Sequence, residues 1–126
     1  GDRRVDHADL IGCDFSREGV AMLRVETAVI ADQPDRALTL AARIRRSPQV
    51  TPSSRQRSRL DVAWSYVQTG RYGDATGVLL DLRDRAPAWL RQQSYACQIV
   101  AELVNHRRRA ASDDIAELMD AVGYAA

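Results

Sequence analysis

Lysine is absent from this chain of 126 residues, and all eighteen of its basic residues are arginines. This bias is typical of a protein encoded by a GC-rich genome, and it does not by itself indicate selection for arginine chemistry. Acidic residues nearly balance the arginines, so the formal net charge is only +1. The chain therefore has no strong overall field that would draw it to nucleic acid or to an anionic membrane.

Cysteines and long apolar runs are also scarce. Cys13 and Cys97 are too few for a disulfide framework, which favours a reduced compartment. Cys13 is expected to pack or to face solvent, and a reactive thiol is the alternative. Apolar stretches such as Val78–Leu80 are far below the roughly 18 residues that a membrane span needs. Because no signal-peptide pattern is present either, we expect a cytoplasmic protein without a membrane partner.

Signatures of catalysis and metal binding are missing as well. The chain has no Gly-rich phosphate loop, no H-E-x-x-H and no G-x-S-x-G. His7 and His106 each stand apart from a second ligand at metal-binding spacing, so we predict no metal site. Asp113 and Asp114 lie at a predicted helix start, where the helix dipole favours acidic side chains. We therefore expect a protein that is not an enzyme and that uses no cofactor.

The chain does contain a spacing of small and large residues that is typical of one tetratricopeptide repeat. Such a repeat is a helix–turn–helix hairpin of about 34 residues, which cannot bury its own apolar face and must stack on neighbours. Gly70 is placed to close the first helix of the unit, and Pro87 is placed to end the unit. The other positions that fit the repeat, on its first and second helices, are Val62, Ala63, Tyr66, Tyr72, Ala75, Leu79 and Leu82.

Helical spacing of apolar residues on both sides of this unit predicts six helices and no strand. They cover about 16–30, 34–44, 52–69, 73–86, 87–104 and 112–122. Ser16, Thr51 and Ser112 are the predicted N-caps, and Gly77 is expected at a close contact between helices. The predicted fold is all-α, a short right-handed α-solenoid of about three tetratricopeptide-like hairpins. Residues 1–15 are expected to be a linker or upstream tail, and 16–126 the helical domain.

Four segments carry a more specific resemblance. They are DFSREGVAMLRV, DQPDRALTLAARI, SRLDVAWSYVQTGRYGDA and RAPAWLRQQSYACQIVAELV. Over roughly residues 14–123 the chain looks like the C-terminal half of actinobacterial XRE-type helix-turn-helix transcription regulators. In that family a small N-terminal domain binds DNA, and the repeat domain senses a ligand or partner or dimerises. No segment here matches the DNA-binding half, so the resemblance implies no nucleic-acid contact by this chain.

The resemblance also implies a concave groove lined by the first helix of each hairpin. Trp64 is the suggested anchor for a ligand or peptide side chain, because its ring is large and amphipathic. The alternative is that Trp64 packs on the neighbouring hairpin. The implied groove residues are Met22, Glu26, Val29, Arg57, Leu60, Trp64, Val67, Gln68, Arg91, Ser94, Gln98 and Glu102.

Arginines near this groove have two interpretations. Arg57 and Arg91 are candidates for a clamp that holds a carboxylate or phosphate through paired hydrogen bonds. The alternative is that both are solvated and paired with Asp61 or other acids. The run 107–109 follows a predicted helix C-terminus, where cations are favourable, so a nucleic-acid patch is not expected there.

Taken together, these features favour a ligand- or partner-sensing or dimerisation domain of a bacterial transcription regulator. Its partner would be a peptide, a small-molecule effector, another protein or a second copy of the chain in a homodimer. Binding would bias the arrangement of attached DNA-binding domains. A free-standing adaptor for protein–protein interaction is the alternative, and an enzyme with an unrecognised site ranks below both.

Overall fold

The computed structural model describes residues 17–44, 51–106 and 112–124, and every regular element in these ranges is an α-helix. The all-α class is therefore confirmed. The helices are α1 (Arg17–Ile30), α2 (Pro34–Ala41), α3 (Pro52–Gln68), α4 (Tyr72–Arg85), α5 (Pro87–Arg91), α6 (Ser94–Asn105) and α7 (Ser112–Val122). The predicted tail 1–15, the Ser16 cap, Cys13, His7 and the arginine run 107–109 lie outside the described residues, as does the side chain of Ser112.

These seven helices replace the six that were predicted, because the predicted helix over 87–104 is broken. α5 ends at Arg91, and Gln93 takes an extended backbone conformation, with φ −94° and ψ 110°, before α6 begins. The Gln93 side-chain amide donates to the Trp89 carbonyl at 3.1 Å, and the same carbonyl near the end of α5 also accepts from the Gln92 backbone N–H. Helical periodicity on both sides of the break does not reveal it, so the sequence predicted one helix.

Several helix ends are as the sequence predicts. The Ser54 backbone N–H donates to the Thr51 side-chain oxygen at 3.1 Å, which caps α3, and Pro52 follows at the first turn. Gly70 has φ +78° and Gly123 has φ +70°, so both take the left-handed conformation that ends a helix. The expectation for Gly77 was wrong, because a Cβ atom added there would meet nothing within 4 Å.

The helices pack as successive pairs along the chain. α1 packs against α2, α3 against α4, and α6 against α7. The first helices of the pairs lie side by side, because α1 contacts α3 and α3 contacts α6, while α4 contacts α7 on the other side. α5 fills the corner between α4 and α7. The right-handed twist of a solenoid stays a prediction.

Apolar packing is divided unequally among these pairs. Helices α3 to α7 share one core that includes the fully buried Leu60, Leu79, Leu90, Ile99, Leu103 and Leu118. The first hairpin, α1 and α2, has a separate cluster of Val25, Ala28 and Ala37. The two parts are joined by Leu38 and Ala41 of α2, which pack against the main core. They are joined as well by Arg55 of α3, whose guanidinium donates two hydrogen bonds, at 2.8 and 3.0 Å, to the buried carboxylate of Glu18 of α1.

Candidate binding face

Side chains from α1, α3 and α6 share one surface, called here the α1–α3–α6 face. Successive members on each helix are three or four residues apart, which places them on the same side of that helix. The face consists of Met22 and Glu26 on α1, of Arg57, Asp61, Trp64 and Gln68 on α3, and of Tyr95 and Gln98 on α6. Because these three helices are neighbours, the face spans all three hairpins.

A polar cluster connects the second and third hairpins at the middle of this face. The Tyr95 hydroxyl donates to Asp61 Oδ1 at 2.9 Å. The Arg57 guanidinium carbon lies 4.6 Å from the centroid of the Tyr95 ring, which is a cation–π geometry. Asp61 is only 4% exposed, so its carboxylate is held inside the face rather than on its rim.

The electrostatics of this cluster are set mainly by burial. Burial raises the pKa of Asp61 above its ordinary value, although the Tyr95 hydrogen bond and the Arg57 charge lower it in part. The negative charge of Glu26 raises the pKa of Asp61 further, which shows that α1 also acts on this cluster. Burial and the nearby Asp61 raise the pKa of Tyr95 strongly, so its hydroxyl stays protonated and serves as the donor.

A cavity of about 330 Å³, called here the α1–α3 pocket, opens beside the cluster. Met22, Leu23 and Glu26 form its α1 side, and Arg57 and Asp61 lie on its α3 side. The start of α3 completes the lining with Ser53, Ser54 and Ser58, and Gly19 completes the α1 side. The pocket therefore combines an apolar wall with two carboxylates and several hydroxyl groups.

The structure brings together three of the groove residues that the resemblance implied, since Met22, Glu26 and Arg57 all line the α1–α3 pocket. Gln68 and Gln98 are exposed. Trp64 is half-buried and packs against the main core, as the packing alternative describes. Trp64 is also partly exposed, so its role as a ligand anchor stays a prediction.

Other implied groove residues are placed elsewhere. Leu60 is fully buried and Val67 is 4% exposed, so both belong to the core and not to a groove surface. Arg91 lies on the short helix α5, and its guanidinium donates to the Asp120 carbonyl near the end of α7 at 2.9 Å. Cations are favourable at a helix C-terminus. Arg57 and Arg91 thus have separate partners, and the predicted clamp between them is not formed.

Tyr95 was missed by the sequence analysis, and Asp61 was considered only as a partner for arginine. A signal for both was available, because they are 34 positions apart, which is one repeat length. Equivalent positions on stacked first helices lie side by side. Asp61 is also an acid within the apolar run Leu60–Trp64, where a buried carboxylate needs a hydrogen-bond donor.

A larger cavity of about 690 Å³ lies among α2, α3 and α4 and is lined in part by Leu38, Ile44, Val62 and Tyr66. Ile44 is the last residue of the described range 17–44, and the described lining of this cavity includes none of Arg57, Asp61 and Tyr95. For this reason the α1–α3 pocket is the candidate site.

Within the described ranges, no cluster of three or more histidine, cysteine or acidic side chains is arranged to hold a metal ion. None of the described helices has the length and apolar character needed to cross a membrane. Cys97 has a free thiol and is half-buried against the main core.

The chain was also compared with known proteins. No family model, no curated protein and no solved structure matches it.

Proposed function

We propose that this chain is a binding module that captures a partner on the α1–α3–α6 face. The observation that carries the proposal is the cluster of Arg57, Asp61 and Tyr95, which spans two hairpins and borders a pocket formed with a third helix. A face built from several stacked hairpins suits an extended ligand such as a peptide, because each hairpin contributes contacts along its length. A small-molecule effector is the other ligand class that this pocket suits.

In the proposed setting, the module is the sensing or dimerisation domain of a cytoplasmic bacterial transcription regulator. The support is the resemblance over roughly residues 14–123 to the repeat half of XRE-type regulators. Binding on the α1–α3–α6 face would favour one arrangement of the module over another and so change how attached DNA-binding domains are presented. Sequencing the complete open reading frame tests this setting, because a frame without a DNA-binding domain contradicts it.

A free-standing adaptor is the second candidate, and the exposed apolar side of α1 favours it. Val20, Leu23 and Ile30 are 39%, 57% and 77% exposed, although all three are large apolar residues. Exposed apolar groups that share a helix side are typical of protein contact surfaces. Light scattering tests whether the contact is with a second copy, since a chain that stays monomeric at micromolar concentrations does not use α1 for self-association.

Selection of peptides from a random library on the whole chain tests the binding module itself. We expect the selected peptides to lose affinity by about tenfold with Glu26→Gln or Gln98→Ala, which remove polar contacts from the face. Glu117→Gln, on the distant helix α7, is the matched control and should leave the affinity unchanged. Peptides that are insensitive to both face variants, or a selection that yields no peptide, would contradict the proposal.

A further inference from the structure

Asp61 has one carboxylate oxygen that the described part of the protein leaves without a partner. Oδ1 accepts from the Tyr95 hydroxyl, and no hydrogen bond or ion pair to Oδ2 is formed within the described residues. No fully buried side-chain oxygen or nitrogen among these residues lacks a hydrogen bond, so Oδ2 must be reached by solvent. Because Asp61 lines the α1–α3 pocket, we infer that Oδ2 is reached through this pocket.

Among the described residues, three charged groups line this pocket, and two of the three are acidic. Glu26 and Asp61 are both acidic, and Glu26 acts on Asp61 through its charge. Arg57 carries the positive charge, but its guanidinium lies over the Tyr95 ring and makes no ion pair with the acids of the described chain. Two carboxylates and one guanidinium therefore line the same space; the Arg57 guanidinium keeps its charge over the aromatic ring and acts on Asp61, and the formal charge of these three groups is −1.

We propose that the α1–α3 pocket binds a cationic side chain of the partner, a guanidinium or ammonium group, with Asp61 Oδ2 and Glu26 as its acceptors. Met22 and Leu23 supply the apolar wall against which the methylene stem of such a side chain packs. The volume of about 330 Å³ is at the low end of the range for ligand pockets and suits one long side chain. This inference rests on the proposed binding module and specifies the chemistry of its ligand.

The opposite ligand charge is disfavoured by the same geometry. The hydroxyls of Ser53 and Ser54 lie at the start of α3, where a helix dipole favours anions. An anion in this pocket would be attracted by Arg57 but would face two carboxylates, and one of them is buried where screening by solvent is weak. Burial of Asp61 also raises its pKa, and a cation at Oδ2 would relieve that unfavourable placement of charge.

The probes for the test are N-acetylarginine amide, a monocation, and N-acetylcitrulline amide, its neutral isostere. Each is titrated into the whole chain while backbone amide shifts are followed by NMR. The expected result is a dissociation constant of about 1–10 mM for the arginine probe, with shift changes centred on α1 and the first half of α3. Equal responses to the two probes, or changes centred elsewhere, would overturn the proposal.

Matched variants assign the interaction to the two carboxylates. Asp61→Asn keeps an acceptor for the Tyr95 hydroxyl, and Glu26→Gln changes a half-exposed position, so both should fold. Each is expected to weaken the arginine probe by about tenfold. Asp74→Asn, at an exposed site on α4, makes the same change in net charge and should have no effect. Unchanged affinity in both pocket variants would overturn the proposal.

The library selection separates this inference from the proposed function. Peptides that bind the α1–α3–α6 face equally well after Asp61→Asn and Glu26→Gln would overturn the cationic pocket and leave the binding module standing. A selection without any peptide for the face would contradict the binding module. In that case the NMR titration still decides whether the pocket takes a cation.

Discussion

The first hairpin and the body formed by α3 to α7 follow the same helical plan but differ in what they bury. In the body, Leu79, Ile99 and Leu118 are completely enclosed, whereas the buried cluster of the first hairpin is Val25, Ala28 and Ala37. Since apolar burial contributes roughly 25 cal/mol per Å², small side chains stabilise the first hairpin less. We infer from this difference that the body is the more stable unit and the first hairpin the less stable one. The α1–α3 pocket lies at the boundary between them.

A buried ion pair connects the two regions. The buried Glu18 accepts two hydrogen bonds from Arg55, which attaches α1 to α3. The Glu18 hydrogen bond also raises the pKa of Arg55, whose guanidinium is charged with or without that shift. A paired buried charge specifies geometry more than it adds stability. We therefore interpret this ion pair as fixing where the first turn of α1 meets α3, while the rest of α1 lies outside the main core.

The largest expected change in stability comes from the same valine-to-alanine substitution made once in each region. Val25 in α1 and Val100 in α6 are both 0% exposed. Val100→Ala should lower the free energy of unfolding of the body by about 2 kcal/mol, because it removes two buried methyl groups and leaves a cavity. Val25→Ala should leave the main thermal transition nearly unchanged and reduce amide hydrogen-exchange protection in α1 and α2. If both substitutions lowered the midpoint of one shared thermal transition equally, the two regions would unfold together.

A smaller effect is expected at the boundary, where Asp61→Asn removes a buried charge. Because the pKa of Asp61 in the folded chain is raised above 3.8, its favourable contribution to stability is present below pH 3.8 and is lost as the pH rises through the raised pKa. Asp61→Asn should therefore have a higher urea midpoint of unfolding than the parent chain at pH 7, and the difference in midpoint should shrink as the pH falls toward 3.8.

Tyr95→Phe is the companion variant. Tyr95→Phe removes the hydroxyl that donates to the Asp61 carboxylate, so it should lower the free energy of unfolding at pH 7.

The smallest expected change is a gain in the stability of the body. Gly77 is exposed in the middle of α4 with free space around it, so Gly77→Ala should stabilise the body by about 0.5–1 kcal/mol. Hydrogen exchange of α1 should not change. Gly70→Ala is the matched control, because φ +78° there should make alanine unfavourable by about 1 kcal/mol. Stabilisation by both substitutions would show that backbone conformation does not decide the result.

Local rules predicted the helical fold well because each depends on a few adjacent residues. Thr51 with Pro52 defines a helix start and Gly70 defines a helix end, and both are confirmed. The division between α5 and α6 could not be predicted, because it depends on how the chain turns after Pro87 to bury Leu90 in a distant core. Secondary structure that is decided by tertiary packing leaves little trace in local spacing.

The candidate site was only partly predictable for a related reason. Groove positions counted along an uninterrupted helix gave Arg91, but α5 turns that residue toward α7. Counting one repeat from Asp61 gives Tyr95, which does lie on the face, because the repeat spacing holds beyond the break. Met22 and Glu26 were found because α1 has no such interruption. Which side chains meet across hairpins thus depends on the connection between them.

The hydrogen bond from Tyr95 to Asp61 has a consequence for how the binding face can adapt. It joins α3 and α6 directly, and the shared core beneath them restricts their relative movement. α1 has no part in that core and exposes much of its own apolar surface. The pocket therefore has one wall of constant position and one of adjustable position. Ligands of different width are expected to be accommodated by a shift of α1, with the acceptor at Asp61 serving as the fixed reference point.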